Sequence, residues 1–137
     1  MLRLWSFKSY ETGSGRNVIE HWCSDCERFV PGNDDSFQGI LDAVLEILQQ
    51  RPQHEWGRPE FAPLGGKQKG LSEIRFAVGK VECRVVGFFG PGSGTYTMLI
   101  GSTKKGRIYD PKEALETAVK RKKEIEKDGS RCCEYDL

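Results

Sequence analysis

The spacing of apolar and polar residues in the first third of the chain predicts one strand followed by two helices. Residues 2–8 alternate with the two-residue period of a half-buried strand. Asn17 is a suitable helix N-cap, and the apolar residues after it recur at helical spacing. After a run of turn formers, Asp34 or Asp35 can cap a second helix, whose apolar stripe runs over residues 37–48.

The middle of the chain is predicted to form a long loop and then a three-stranded meander. Residues 52–70 contain three prolines and four glycines, and a loop of this length in a compact domain is often functional. Alternating residues over 72–77 and 81–86 predict two strands joined by a tight turn at Gly79-Lys80. A third strand over 95–103 follows an exposed glycine-rich loop.

The end of the chain is predicted to form one more helix. Asp110 can cap it and Pro111 suits its first position, and the apolar residues that follow are expected to face the sheet. The predicted fold class is therefore α+β, in the order β-α-α-β-β-β-α, with a largely antiparallel sheet and the helices packed on one face. We expect a single domain over residues 1–128 and a flexible tail over residues 129–137.

The turn at Gly79-Lys80 also predicts the pairing of two strands. With a two-residue turn, Val78 opposes Val81, and counting outward places Arg75 opposite Arg84. Both arginines then lie on the open sheet face, away from the helices. Like charges directly opposite each other cost about 0.2–1 kcal/mol, so such a pair needs a compensating anion.

Two kinds of anion can compensate the arginine pair. A phosphate group suits the planar guanidinium groups of Arg75 and Arg84. Alternatively, Glu73 and Glu82, which share that face by parity, can neutralise both arginines in a surface network. The hairpin by itself does not decide between an anion-binding surface and an internal ion network.

The distribution of charge is uneven although the net charge is only +1. Residues 1–66 carry 6 basic and 10 acidic side chains, whereas residues 67–110 carry 8 basic and 3 acidic side chains. This favours an anion-facing surface in the middle segment, with ordinary solvated strand residues as the alternative. The basic residues that flank the predicted meander are Lys67, Lys69, Lys104, Lys105 and Arg107, with Tyr96 and Tyr109 as candidates to stack on a base.

Composition predicts a cytoplasmic protein without a metal or a cofactor. No apolar run approaches the roughly 20 residues that a membrane span needs, and the N-terminus has no signal-peptide pattern. The five cysteines are an odd number, which indicates reduced thiols. Cys23 and Cys26 have the spacing of a redox or zinc pair, but both fall on the apolar side of a predicted helix, which favours core packing.

Short motifs in the second half resemble the RelE/HigB superfamily of toxins from toxin–antitoxin systems, and most of all its phage-related HigB-like branch. The likeness covers about residues 17–127 and agrees with the predicted element order. The segments that carry it are Gly70-Leu71-Ser72-Glu73-Ile74-Arg75, Gly79, Arg84-Val85-Val86-Gly87-Phe88-Phe89, Leu99 to Lys105, Pro111 and Ala118-Val119-Lys120-Arg121.

The resemblance implies a metal-independent endoribonuclease that cleaves ribosome-bound mRNA and inhibits translation. In such chemistry the ribose 2′-hydroxyl attacks the adjacent phosphate, which requires a base, cations and an acid. By the same resemblance, Arg84 holds phosphate, Lys104 and Lys105 form the basic pair after the last strand, and Tyr109 is the aromatic or acid group. The implied RNA-binding residues are Lys67, Lys69, Arg75 and Arg107.

The resemblance also implies a partner and leaves an alternative open. The partner is a cognate antitoxin of helix-turn-helix type, laid over the basic face. The alternative is a member of the superfamily that does not cleave RNA, either a ParE-like gyrase inhibitor or a degenerate toxin that only binds protein. Leu71 and Glu73 stand where some family members carry a lysine pair, which favours this alternative. His54 is the only loop histidine that can replace a family histidine.

Overall fold

The computed structural model describes residues 3–137, without the side chains of Asp34 and Asp35. Leu2 in the predicted first strand and the predicted caps at Asp34 and Asp35 therefore lie outside the described residues. The helices are α1 (Val18–Ser24), α2 (Asp34–Gln49) and α3 (Ala114–Lys127). The strands are β1 (Ser6–Tyr10), β2 (Phe61–Pro63), β3 (Ser72–Val78), β4 (Val81–Phe89), β5 (Thr95–Lys105), β6 (Ile108–Asp110) and β7 (Cys132–Glu134).

The described strands form one mixed sheet in the order β2-β3-β4-β5-β1-β7, and β6 pairs with the end of β5. Strand β1 runs parallel to β5, and the other pairs are antiparallel. Val78 pairs with Val81 and Arg75 pairs with Arg84, so the register predicted from the Gly79-Lys80 turn is confirmed. The α+β class and the largely antiparallel sheet are confirmed with it.

Helices cover both faces of the sheet, so the prediction that they pack on one face is wrong. Helices α1 and α2 pack on one face, in a core that includes Leu41 and Val85. Helix α3 packs on the opposite face through Ala118 and Ile125. The reason is visible in the neighbouring residues Val85 and Val86 of β4, which point to opposite faces and are both fully buried. A sheet that is apolar on both faces must be covered by other elements on both faces.

The start of α1 is confirmed at the predicted capping residue. The side chain of Asn17 accepts hydrogen bonds from the backbone N–H groups of Ile19 and Glu20, as its residue type predicts. The predicted cap at Asp110 is wrong, because Asp110 ends β6 and α3 begins only at Ala114. The chain reaches that helix through a short hairpin rather than directly from the third predicted strand.

The C-terminal segment packs against the domain, although a flexible tail was predicted. Strand β7 pairs with β1, and the N–H of Tyr135 donates to the carbonyl oxygen of Phe7. The buried Tyr135 hydroxyl donates to the carboxylate of Asp42 at 2.7 Å and accepts from the Gln38 side chain. Burial raises the pKa of Asp42, a residue of α2, which is consistent with a carboxyl group covered by the C-terminal segment. Contacts with the rest of the described chain therefore extend through Tyr135.

Candidate anion-binding site

The arginine pair is the first element of the candidate site, and it is largely removed from solvent. Arg84 is 4% exposed and Glu73 is 3% exposed. One Glu73 oxygen lies 3.4 Å from Nε of Arg84 and 3.5 Å from Nε of Arg75, and Glu82 lies 3.3 Å from Nη1 of Arg84. We call these four residues the arginine–glutamate cluster. Its geometry corresponds to the internally neutralised network.

The contact between Glu73 and Arg84 is electrostatic rather than a well-formed hydrogen bond. The Nη1 group of Arg84 donates to the Cys83 carbonyl oxygen at 2.9 Å and to Glu82 at 3.3 Å. Its buried Nε–H has no aligned acceptor among the described residues, although the Glu73 oxygen is 3.4 Å away. Removal of the nearby carboxylate would therefore leave a buried guanidinium group with little compensation.

Tyr109 connects the arginine–glutamate cluster to the end of β5. Its hydroxyl donates to Glu73, and the ammonium group of Lys104 lies 4.8 Å from the centre of its ring. Burial is the largest cause, and the hydrogen bond to Glu73 the next, of a raised pKa for Tyr109. The hydroxyl therefore keeps its proton at neutral pH. Three predicted catalytic residues, Arg84, Lys104 and Tyr109, thus lie in one group.

An open cleft of about 790 Å³ lies where the β3–β4 turn and the β5–β6 hairpin meet. We call it the lysine cleft. Its lining combines four lysines with two carboxylates and an Ile108 side chain that is 64% exposed. The lining residues are Lys80, Val81, Glu82, Thr103, Lys104, Lys105, Gly106, Ile108, Tyr109, Asp110 and Lys112. A concave surface with this excess of cations can bind a phosphate-bearing ligand.

Strand alternation separates the two predicted lysines. Lys104 lies on the sheet face of Arg84, because Ser102 is paired with Arg84 and Lys104 follows two residues later. Lys105 falls on the opposite face, which it shares with Cys83. The prediction that both lysines lie beside the arginines is therefore wrong for Lys105. Lys104 and Lys105 nevertheless both line the lysine cleft, which lies at the ends of the strands.

The remaining predicted RNA-binding residues lie outside the lysine cleft. Lys67 and Lys69 are exposed before the start of β3, whereas the cleft lies at the other end of that strand, about 20 Å away at ~3.3 Å per residue. Arg107 is exposed in the β5–β6 turn beside the cleft. Arg75 belongs to the arginine–glutamate cluster.

Two further aromatic and histidine candidates do not reach the cleft. Tyr96 is completely buried in the core under α1 and α2, so it is not accessible for stacking on a base. His54 is 81% exposed in a short turn and lies 3.7 Å from Glu55, its neighbour in the chain. Neither lines the lysine cleft.

Sequence reasoning missed Lys80, Lys112 and strand β6. Gly106-Arg107 is a two-residue turn that pairs Lys105 with Ile108, and Gly106 has φ of 61°. Gly79 has the same φ in the turn that was recognised, so a glycine followed by a cation was an available signal for a second hairpin. That hairpin carries Lys112 to the cleft.

The described residues contain no group of three or more His, Cys, Asp or Glu side chains arranged to hold a metal ion. Cys23 and Cys26 are both buried in the core, and burial raises the pKa of the Cys23 thiol to about 12. Within residues 3–137, none of the helices is long and apolar enough to cross a membrane.

Comparison with known proteins does not identify a relative. No family model matches the sequence, and neither a curated protein nor a solved structure is significantly similar to it. The function is therefore inferred from the arginine–glutamate cluster and the lysine cleft, together with the motif resemblance.

Proposed function

We propose that the chain is the toxin of a type II toxin–antitoxin pair and that it cleaves ribosome-bound mRNA in the cytoplasm. The observation that carries this proposal is the lysine cleft, because Lys104, Lys105 and Tyr109 all line it. These are three of the four residues to which the motif resemblance assigns chemistry. The cognate antitoxin, a separate helix-turn-helix protein in this proposal, would compete with RNA for the same cations.

The residues of the lysine cleft match the needs of RNA cleavage by an internal nucleophile. In this reaction the ribose O2′ forms a bond to the adjacent phosphorus, and the bond from phosphorus to O5′ breaks. Lys104 and Lys105 would stabilise the charge that develops on the phosphate oxygens. The Tyr109 hydroxyl would turn its hydrogen from Glu73 to O5′ and transfer that proton to the leaving oxygen, and a carboxylate, Glu82 or Asp110, would accept the proton from O2′.

Arg84 has a different role in this proposal from the phosphate contact that the resemblance implies. Its guanidinium group is buried and faces Glu73, which accepts the hydrogen bond from Tyr109. Arg84 therefore acts as a positioning residue that holds the Glu73 carboxylate in place and, through it, the Tyr109 ring at the edge of the cleft.

The buried state of Arg84 also favours a second candidate function. A toxin that lacks an accessible arginine can retain the fold and the lysine cleft while binding only an acidic protein surface. This corresponds to the gyrase inhibitor or to the degenerate toxin that only binds protein. The two candidates differ in whether a translated message is cut.

The test is a reconstituted translation reaction with a defined message and the purified chain. We expect cleavage of the message only while ribosomes translate it, and a loss of at least about 100-fold in the Lys104→Ala/Lys105→Ala variant. The matched control is Lys120→Ala/Lys123→Ala, which removes two exposed lysines from α3 and should cleave normally. Intact message in the presence of the unaltered chain would reject the cleavage proposal and favour the protein-binding alternative.

A further inference from the structure

A second groove continues from the lysine cleft along the side of β5 that faces α1. It consists of two adjoining cavities of about 360 and 430 Å³. Both cavities are lined by Trp22, Asp25, Arg28, Gly101 and Pro111, and the smaller one shares Thr103 and Asp110 with the lysine cleft. We call the two cavities together the α1 groove. Because they share these two lining residues, the groove and the cleft lie next to each other.

The far end of the α1 groove is basic. Arg16 and His21 line it and are exposed, and Arg28 is exposed beside Asp25 with a contact of 2.8 Å. Arg121 is half-buried there. Its Nη1 donates to the Leu99 carbonyl oxygen at 2.8 Å.

The charge of Arg121 is only partly compensated. Its guanidinium carbon lies 4.8 Å from the centre of the Tyr10 ring, and it also interacts electrostatically with Glu124, which accepts the hydrogen bond of the Tyr10 hydroxyl. No carboxylate oxygen lies within 4 Å of this guanidinium in the described part of the chain. This contrasts with Arg84, whose charge is compensated internally.

The middle of the α1 groove contains a stacked pair of aromatic rings, in which Phe29 covers one face of the Trp22 indole. The rings of Trp22 and Phe29 are inclined by only 12°, with their centres 5.4 Å apart, and both are partly exposed. Trp22 lies against Gly101 so closely that a Cβ atom at that position would be 2.1 Å from the indole ring. The absence of a side chain on Gly101 thus lets the indole lie flat on the strand.

We propose that the α1 groove is a track for single-stranded RNA that extends the lysine cleft. The RNA phosphates would lie at the lysines and at Arg16, Arg28 and Arg121, and a base between them would stack on the partly exposed Phe29 ring. Asp25 and Asp110 disfavour RNA and an acidic peptide alike, so the aromatic ring is the feature that favours RNA. This inference rests on the proposed function for the identity of the ligand and adds a binding segment outside the reacting group.

Affinity for short and long RNA strands tests the groove separately from cleavage. We would measure fluorescence anisotropy without ribosomes, using oligonucleotides of about four and about ten nucleotides. The Arg16→Ala/Arg28→Ala variant should bind the longer strand about tenfold more weakly and the shorter strand as the unaltered chain does. The matched control is again Lys120→Ala/Lys123→Ala, and thermal unfolding would verify that both variants are folded.

Several results would overturn the RNA track. These are unchanged affinity of the groove variant for the longer strand, equal loss for both lengths, or no measurable binding of the longer strand to the unaltered chain. A polyglutamate peptide whose binding depends on Arg16 and Arg28 while RNA binding does not would assign the groove to a protein partner instead. Length-dependent RNA binding without message cleavage would reject only the proposed enzyme activity.

Discussion

The arginine–glutamate cluster and the lysine cleft use similar charges in opposite ways. In the cluster, two arginines meet two carboxylates, and Glu73 and Arg84 have almost no contact with water. In the cleft, four lysines meet two carboxylates on an open surface. The neighbours of a cation therefore decide whether it can bind a ligand. Its position in a sequence motif does not decide this.

The two regions should also differ in their effect on stability. Removing one partner of a buried ion pair leaves an uncompensated charge and costs about 3–5 kcal/mol. Exposed cations contribute about 0–1 kcal/mol each, since water already solvates them. Single substitutions of the buried Glu73 or Arg84 should therefore destabilise the protein strongly, whereas substitutions of the cleft lysines should change mainly ligand binding.

The largest effect is expected for Glu73→Ala. It leaves Arg84 buried without its main counter-charge, so the free energy of unfolding should fall by about 3–5 kcal/mol in urea titrations. The matched control is Glu82→Ala, which removes a carboxylate that also contacts Arg84 but is 56% exposed. It should cost less than about 1 kcal/mol. Equal losses for the two variants would contradict the distinction between a buried and an open region.

A double substitution tests whether charge or packing determines the stability of the arginine–glutamate cluster. Glu73→Leu/Arg84→Met replaces the buried charges with apolar groups, so its stability should return to within about 1 kcal/mol of the unaltered chain. The same urea titration measures it, with each single substitution as the reference. A double variant as unstable as Glu73→Ala would mean that packing, and not charge, dominates this region.

A smaller effect is expected for Tyr109→Phe, which removes the hydrogen bond to Glu73. Hydrogen bonds to charged groups contribute about 1.5–3 kcal/mol, so the variant should lose about that amount at neutral pH. Folding raises the pKa of Tyr109 above its ordinary value of 10.0, so above that pH the unfolded chain loses this proton first and stability falls. The difference in the free energy of unfolding between the unaltered chain and Tyr109→Phe should therefore become smaller above pH 10, as measured by urea titration. A constant difference would contradict the raised pKa.

The smallest effects are expected for the two lysines at the end of β5. Lys104→Ala removes the cation over the Tyr109 ring and should cost about 0.5–1 kcal/mol. Lys105→Ala should stay within about 0.5 kcal/mol of the unaltered chain, because Lys105 is exposed on the other face. Calorimetric unfolding under identical conditions compares the two, and a larger loss for Lys105→Ala would overturn the assignment of the lysines to opposite faces.

The sequence predicts the parts of the fold that depend on neighbouring residues. The two-residue turn at Gly79-Lys80 fixed the pairing of Arg75 with Arg84, since a hairpin register follows from the turn length. Asn17 gave the start of α1 for the same local reason. The position of α3 on the second sheet face depends on packing between distant segments, which local periodicity does not report.

The site could be predicted only in part for a related physical reason. Parity placed Glu73 on the face of the two arginines, and the ion network follows from that placement. Tyr109 reaches Glu73 because β6 folds back along β5 over only three residues. A strand so short carries too little alternation to be recognised. The burial of Arg84 was therefore not visible in the pattern.

The position of β1 between β5 and β7 affects how the chain folds during its synthesis. Residues 6–10 leave the ribosome long before their neighbours in the sheet, which are residues 95–98 and 132–134. Both edges of β1 thus stay unpaired during translation of most of the chain, and contacts this distant in sequence form slowly. Pairing of β1 on both edges is complete only after residues 132–134 have emerged. A nascent chain stalled before residue 132 would expose one edge of β1 to chaperones or to other strands.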